Sequence, residues 1–147
     1  MKIQILDKEH LYEIEDLWKE LNDLHRELST DFKEHFELFT FEKRCEQLYE
    51  KDELRVFVAC VEEKNIGYCI VTQDRNDGEV DSLFIQKRYR GQDVGNQLMQ
   101  NGLKWLNEKQ CTNIKIHVAE GNEFAIGFYE KFGFKKRFTT LQVTGNL

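Results

Sequence analysis

The chain contains no proline and no glycine- or serine-rich run, so neither a stiff proline spacer nor a flexible linker divides it. No apolar run approaches the roughly 18–20 residues that a membrane helix needs. The opening Met1-Lys2-Ile3-Gln4-Ile5-Leu6 is too short and too polar for a signal peptide or a span. A cytoplasmic protein with no membrane partner is the expectation. Cysteine is also sparse: Cys45, Cys60, Cys69 and Cys111 form no Cys-x-x-Cys pair, which predicts buried free thiols. His25, His35 and His117 stand at no metal-ligand spacing, so they read as structural histidines and no metal is expected. Positive charge is the minority, with 21 Lys and Arg against 27 Asp and Glu, a net charge of −6 and a pI near 5.3. That balance argues against a nucleic-acid partner and favours a small cationic one.

What is present fits one domain over residues 1–147, long enough to bury a core without metals or disulfides. After the alternating first residues, Asp7 is a candidate N-cap for a long helix with Leu11, Ile14, Leu17, Trp18, Leu21, Leu24 and Leu28 in steps of three and four. Ser29-Thr30-Asp31 breaks that pattern, and a second helix is predicted from about Phe41 to Lys51. Leu54–Val61 and Ile66–Val71 read as a hairpin, and a second hairpin turns at Arg75-Asn76-Asp77-Gly78 into a strand from Glu79. A helix from Val94 to about Lys109 and a strand at Asn113–Val118 complete a crossover with two parallel strands. Asn122 is read as the cap of a short helix that ends at Gly133, and Phe134 to Val143 as a last extended segment. The class is mixed α/β.

The most informative stretch runs from Glu79 to Met99. A strand, Glu79-Val80-Asp81-Ser82-Leu83-Phe84-Ile85, passes through the cationic Gln86-Lys87-Arg88-Tyr89-Arg90 into a glycine-bearing turn and then a helix. The first amides of such a helix lack intrahelical partners and lie at the positive end of its dipole, which suits a phosphate. The spacing is neither the dinucleotide G-x-G-x-x-G nor the Walker G-x-x-x-x-G-K-[ST].

Arg90-x-x-Asp93-x-Gly95 resembles the coenzyme A signature Q/R-x-x-G-x-G/A of the GNAT N-acetyltransferases, with Asp93 in place of the middle glycine. A second block, Asn122-x-x-Ala125-x-x-Phe128-Tyr129 leading to Gly133-Phe134, is similar to that family's other recurring motif, and both occur in the family's order. The resemblance covers roughly residues 54 to 143. It implies a mixed, mostly antiparallel twisted sheet with a parallel strand pair at the coenzyme site, flanked by about four helices.

By that resemblance, Arg90, Gly91, Gln92, Asp93, Val94, Gly95 and Asn96 form the turn that holds the pyrophosphate of acetyl-CoA. The strand backbone at Leu83, Phe84 and Ile85 receives the pantetheine arm as if it were an added strand. Tyr129 is the candidate general acid for the departing thiolate, and Asn122 touches the coenzyme arm while capping its helix. The amine must lose a proton before it attacks; Glu79 is the favoured base, with Asp81 on the same strand face by alternation. No cysteine or Ser/His pair is placed as a nucleophile, so transfer to a primary amine of a small molecule or peptide is expected to be direct. Glu20, Asp23, Asp31, Glu34 and Glu37, near Phe32, Phe36, Phe39 and Phe41, suit a polyamine, an aminoglycoside-like amine or a peptide amine, or else form a solvated face. The competing expectation is a degenerate acyl-CoA-binding module, signalled by Asp93. Thr139 to Leu147 could pair with its copy in a homodimer.

Overall fold

The computed structural model describes residues 1–145, which fall into two compact units. The first comprises residues 1–21 and 40–117; the second comprises residues 22–39 and the described residues from Val118 on.

The first unit is built on a sheet of five strands in the order β1-β2-β3-β4-β5. They are β1 (Lys2–Leu6), β2 (Glu53–Val61), β3 (Lys64–Asp74), β4 (Asp77–Ile85) and β5 (Asn113–Ile116). The first three pairings are antiparallel and β4 pairs with β5 in parallel, as the crossover pattern predicts. The β3 residues Ile66 to Val71 are apolar but for Gly67 and buried throughout, because this central strand is covered on both faces. One cover is α4 (Val94–Glu108), which buries Val94, Leu98, Met99, Trp105 and Leu106. Gly102 lets the helix lie close on Cys69 and Val71, since a Cβ there would come within 2.9 Å of the valine. The other cover includes α3 (Phe41–Tyr49), whose Arg44 reaches β4.

Asp7 stands at the N-cap of a 3-10 stretch and not of the long helix, and its side chain makes no capping bond. Its carboxylate pairs with His10 at 2.5 Å, and a 3-10 stretch, Lys8–Ile14, precedes the true α1 (Glu15–Leu28). The second turn also differs from the sequence reading. Asp77 and Gly78 belong to β4 and only Arg75 and Asn76 form the loop, because Asp74 pairs with Asp77. Gly78 is required by packing: a Cβ would meet Leu106 and Cys111 at 3.0–3.1 Å. Cys45, Cys60 and Cys69 are buried free thiols as expected, while Cys111 is half-buried.

In the second unit, α2 (Lys33–Leu38) is a helix that the interleaved phenylalanines and charges concealed, and α5 (Ile126–Glu130) follows a 3-10 turn at Glu123–Ala125. Asn122 stands at the N-cap of that turn, but its side chain makes no capping bond. Gly133 has φ +93°, the helix-ending conformation expected of it. Phe134 to Val143, read as a last extended segment, joins no strand ladder. The Glu120 carboxylate accepts from the Ser29 hydroxyl and from the amides of Thr30 and Asp31. Beside it, Gly121 packs so tightly that a Cβ would fall 2.2 Å from the Leu28 carbonyl oxygen.

Candidate active site

The site begins with an irregularity in β4. Ile70 pairs with Ser82 and Val71 with Val80, so Asp81 is an extra residue, a β-bulge. Thr72 stands opposite Glu79 in register and donates its hydroxyl to Asp81 Oδ2 at 2.5 Å. Both carboxylates therefore lie on the sheet face turned away from α4, as alternation requires. Beyond the bulge the parity reverses. Ser82 and Phe84 now share the carboxylate face, with the Ser82 hydroxyl 2.7 Å from the Tyr68 phenol, whereas Leu83 and Ile85 pair with Cys69 and Gly67 on the α4 side.

The bulge also ends the pairing with β5, whose parallel ladder stops at Val80 and Ile116. From Ser82 to Ile85, β3 is the only strand that β4 pairs with among the described residues, and of the other edge's groups the Ile85 carbonyl is taken by Arg90 Nε. An open run of strand backbone is a template for an extended, amide-bearing chain.

That edge leads directly into the turn. Gly91 has φ +77° with open space where a Cβ would stand, and Asp93 has φ +69° and ψ +7°, the left-handed conformation. Asp93 thus takes the backbone geometry that a glycine would adopt most easily, and its side chain makes no capping bond. Among the described residues, the amides of Gly91 through Asn96 find no protein acceptor. The first bond across this helix start is the Gln97 amide to the Asp93 carbonyl. Arg90 folds back onto β4, its Nε donating to the Ile85 carbonyl at 2.9 Å and its guanidinium lying over the Phe84 ring. A run of amides without protein acceptors thus continues from the open edge of β4.

The two carboxylates have different surroundings. Asp81 is 3% exposed, and burial pushes its carboxyl up to about 6, opposed by the Thr72 hydrogen bond. Glu79 adds to the upward push, while Arg44 and Lys51 oppose it. Arg44 Nη2 lies 4.0 Å from Asp81 Oδ1 and donates to the Asp81 carbonyl at 2.8 Å. Glu79 is 15% exposed and sits 3.8 Å from Lys51 Nζ and 3.3 Å from His117 Nδ1. Arg44, Lys51 and Thr72 escaped the sequence reading because tertiary register alone brings them here. His117 was read as a structural histidine, yet it is 79% exposed and faces Glu79.

In the second unit Tyr129 is half-buried, in edge contact with Phe128 and Phe134 at centroid distances of 5.4 and 6.3 Å. Asn122 is held through its backbone, donating to the Ala119 carbonyl and accepting from the Ala125 amide. Burial against Phe36 lowers the His25 imidazole below its usual range, consistent with a structural role.

The pattern of the acetyltransferase (GNAT) family matches residues 11–134. N-alpha-acetyltransferase 30 of Schizosaccharomyces pombe is 34% identical over 83 residues, 53% of this chain and 55% of that protein. Peptidyl-lysine N-acetyltransferase YjaB of Salmonella typhimurium is 31% identical over 74 residues, 50% of this chain and 45% of that protein. The chain spans about half the length of the curated relatives it matches. The crystal structure of the PaiA N-acetyltransferase of Thermoplasma acidophilum, solved in complex with coenzyme A, superposes with a TM-score of 0.74 at 20% identity, covering 95% of this chain and 94% of that one. At that identity the likeness speaks for the fold. Since the family pattern covers most of the chain and the five-stranded sheet shares that fold, the chain belongs to the acetyltransferase (GNAT) family.

Proposed function

We propose that this protein is an N-acetyltransferase of one domain that moves an acetyl group from acetyl-CoA directly to a primary amine of a small molecule or peptide. The observation that carries the reading is the continuity of the open β4 edge at Ser82–Ile85 with the unpaired amides of Gly91 through Asn96. The pantetheine arm, with its two amides, suits the edge; the diphosphate suits the turn, with Arg90 beside it. An open N–H of the edge would polarise the thioester carbonyl, and positioning supplies much of the rate.

Glu79 is the base. It reaches solvent where Asp81 is shut in, so an ammonium group can approach it, and Asp81 with Arg44 and Thr72 holds the strand around it. Tyr129, assigned on the Asn122-to-Phe134 motif, donates a proton to the leaving thiolate, and Asn122 contacts the coenzyme arm. The degenerate-module alternative gains no support from Asp93, whose backbone already has the glycine-like conformation. In the acceptor region, the carboxylates of Glu34 and Asp31 favour a cationic amine, whereas that of Glu37 is paired with Arg26 at 2.9 Å.

Calorimetric titration with acetyl-CoA, followed by free-thiol release over a panel of polyamines, aminoglycosides and peptide amines, tests the reading. Binding with thiol release is the expected result. Absence of binding at millimolar coenzyme ends the proposal.

A further inference from the structure

We propose that Lys51 is an internal acceptor: given acetyl-CoA, the chain acetylates the Nζ of its own Lys51, a modification site beside Glu79. The inference rests on the reading of Glu79 as base. On that reading an acceptor amine has to stand against the Glu79 carboxylate. One amine of the chain already stands there, with Lys51 Nζ 3.8 Å from Glu79 Oε1.

The local fold puts it there. Helix α3 ends at Tyr49, and the Lys51 amide donates to the Leu48 carbonyl at 3.2 Å in the turn that leads into β2 at Glu53. Register then sets Leu54 against Thr72 and Thr72 against Glu79. The start of β2 and the Glu79 end of β4 therefore lie at one end of the sheet.

The two oxygens of Glu79 have different neighbours, His117 Nδ1 at Oε2 and Lys51 Nζ at Oε1. Lys51 is held loosely. Its separation exceeds the roughly 2.7–2.9 Å of a charge-assisted hydrogen bond, whereas Lys19 and Lys109 close on Glu15 and Glu53 to 2.8 and 3.0 Å. A flexible four-carbon stem with a part-buried head, 30% exposed, brings an amine to the base without fixing it there. Lys115 stands opposite Glu79 in the parallel register, but it is exposed, and the ion pairs of Glu79 are with Lys51 and His117. Because base and amine belong to one chain, the amine is supplied at the high effective concentration of an intramolecular reactant.

The step balances. The Lys51 ammonium gives one proton to Glu79, and the nitrogen lone pair forms a C–N bond to the acetyl carbonyl carbon. The C–S bond breaks with its electron pair on sulfur. The surplus proton on nitrogen balances the one that the thiolate takes up. The products are an acetamide on Lys51, free coenzyme A thiol and one proton, with no redox partner. Acetylation also removes the positive charge beside Glu79.

The test incubates the full chain with acetyl-CoA and no added amine, and follows acetylation lysine by lysine by peptide mass spectrometry. Lys51 is expected to be labelled roughly 100-fold faster than the exposed lysines, at a rate per chain that does not change with chain concentration. Glu79→Gln is expected to bring Lys51 down to the rate of the exposed lysines. Should that variant not fold, the comparison among lysines of the parent decides. Lys51 labelled no faster than the exposed lysines, a rate that rises in proportion to chain concentration, or label on Lys115 in its place overturns the proposal. A parent that acetylates panel amines and leaves Lys51 bare overturns the internal acceptor while the enzyme reading stands. A parent that acetylates neither overturns that reading, and the internal acceptor falls with it.

Discussion

Asp93 holds a left-handed conformation, φ +69°, that costs a residue with a side chain about 1 kcal/mol relative to glycine, and it adds a carboxylate beside the turn proposed to hold the diphosphate. Asp93→Gly is expected to tighten acetyl-CoA binding about 5-fold, from the roughly 1 kcal/mol of repulsion between exposed charges a few ångströms apart, without loss of thermal stability; calorimetry and a melt check both. On the proposed general-acid role, in which only the departing thiolate uses the proton, Tyr129→Phe is expected to lower kcat by roughly 100-fold with the coenzyme Kd unchanged; steady-state kinetics beside calorimetry decide it. Asp81 gives a pH prediction. Its carboxyl rises from 3.8 to about 6 on folding, so the proton is bound more tightly in the native state. The associated stability is complete below about pH 4 and is lost as pH rises through 6, a change of about 3 kcal/mol. Asp81→Asn, which does not ionise, is expected to be more stable than the parent at pH 8 by about 2 kcal/mol and to lose that advantage at pH 4.5, read from urea midpoints. These residues also mark how far sequence could reach. Tyr129 and Arg90 sit in motifs visible as text, whereas the upward shift at Asp81 comes from burial and is opposed by the Thr72 hydrogen bond, and neither is written near it in the chain.

At the scale of elements, the bulge at Asp81 is the feature on which β4 turns. It flips the parity of the strand, ends the pairing with β5 at Val80, and frees the edge that follows. Alternation placed Glu79 and Asp81 on one face correctly. It could not place Leu83 on the opposite face, because a bulge adds a residue without any fixed sequence mark. Helix α2 was missed for a related reason: six residues with no buried side chain leave no amphipathic stripe to read. The joint at Leu28–Asp31 with Glu120 and Gly121 ties together the two segments of the second unit. Gly121→Ala combines φ +92° with a Cβ placed 2.2 Å from a carbonyl oxygen. It is expected to destabilise by about 3 kcal/mol or more, seen as a lowered melting temperature with faster exchange of the Thr30 and Asp31 amides.

For the molecule as a whole, a ligand that binds only the folded chain raises its stability by RT ln(1 + [L]/Kd), about 2.7 kcal/mol at a hundredfold excess over Kd. Acetyl-CoA at that excess is expected to raise the melting temperature by roughly 8 °C, and inorganic phosphate at the same concentration by far less. Among the described residues no helix is long and apolar enough to cross a membrane. The dimer expectation rested on Thr139 to Leu147, of which Asn146 and Leu147 lie outside the described residues; the part described makes no ladder. The strand–helix–strand crossover, the glycine turn and the order of the two motifs were determined by sequence, since each depends on local periodicity or on residues a few positions apart. Tertiary structure decided the rest. The register that sets Thr72 and His117 against the β4 carboxylates, the bulge that opens the edge and the burial that shifts Asp81 all arise from contacts between segments far apart in the chain. No local pattern encodes such contacts, because their energy exists only once the strands have paired.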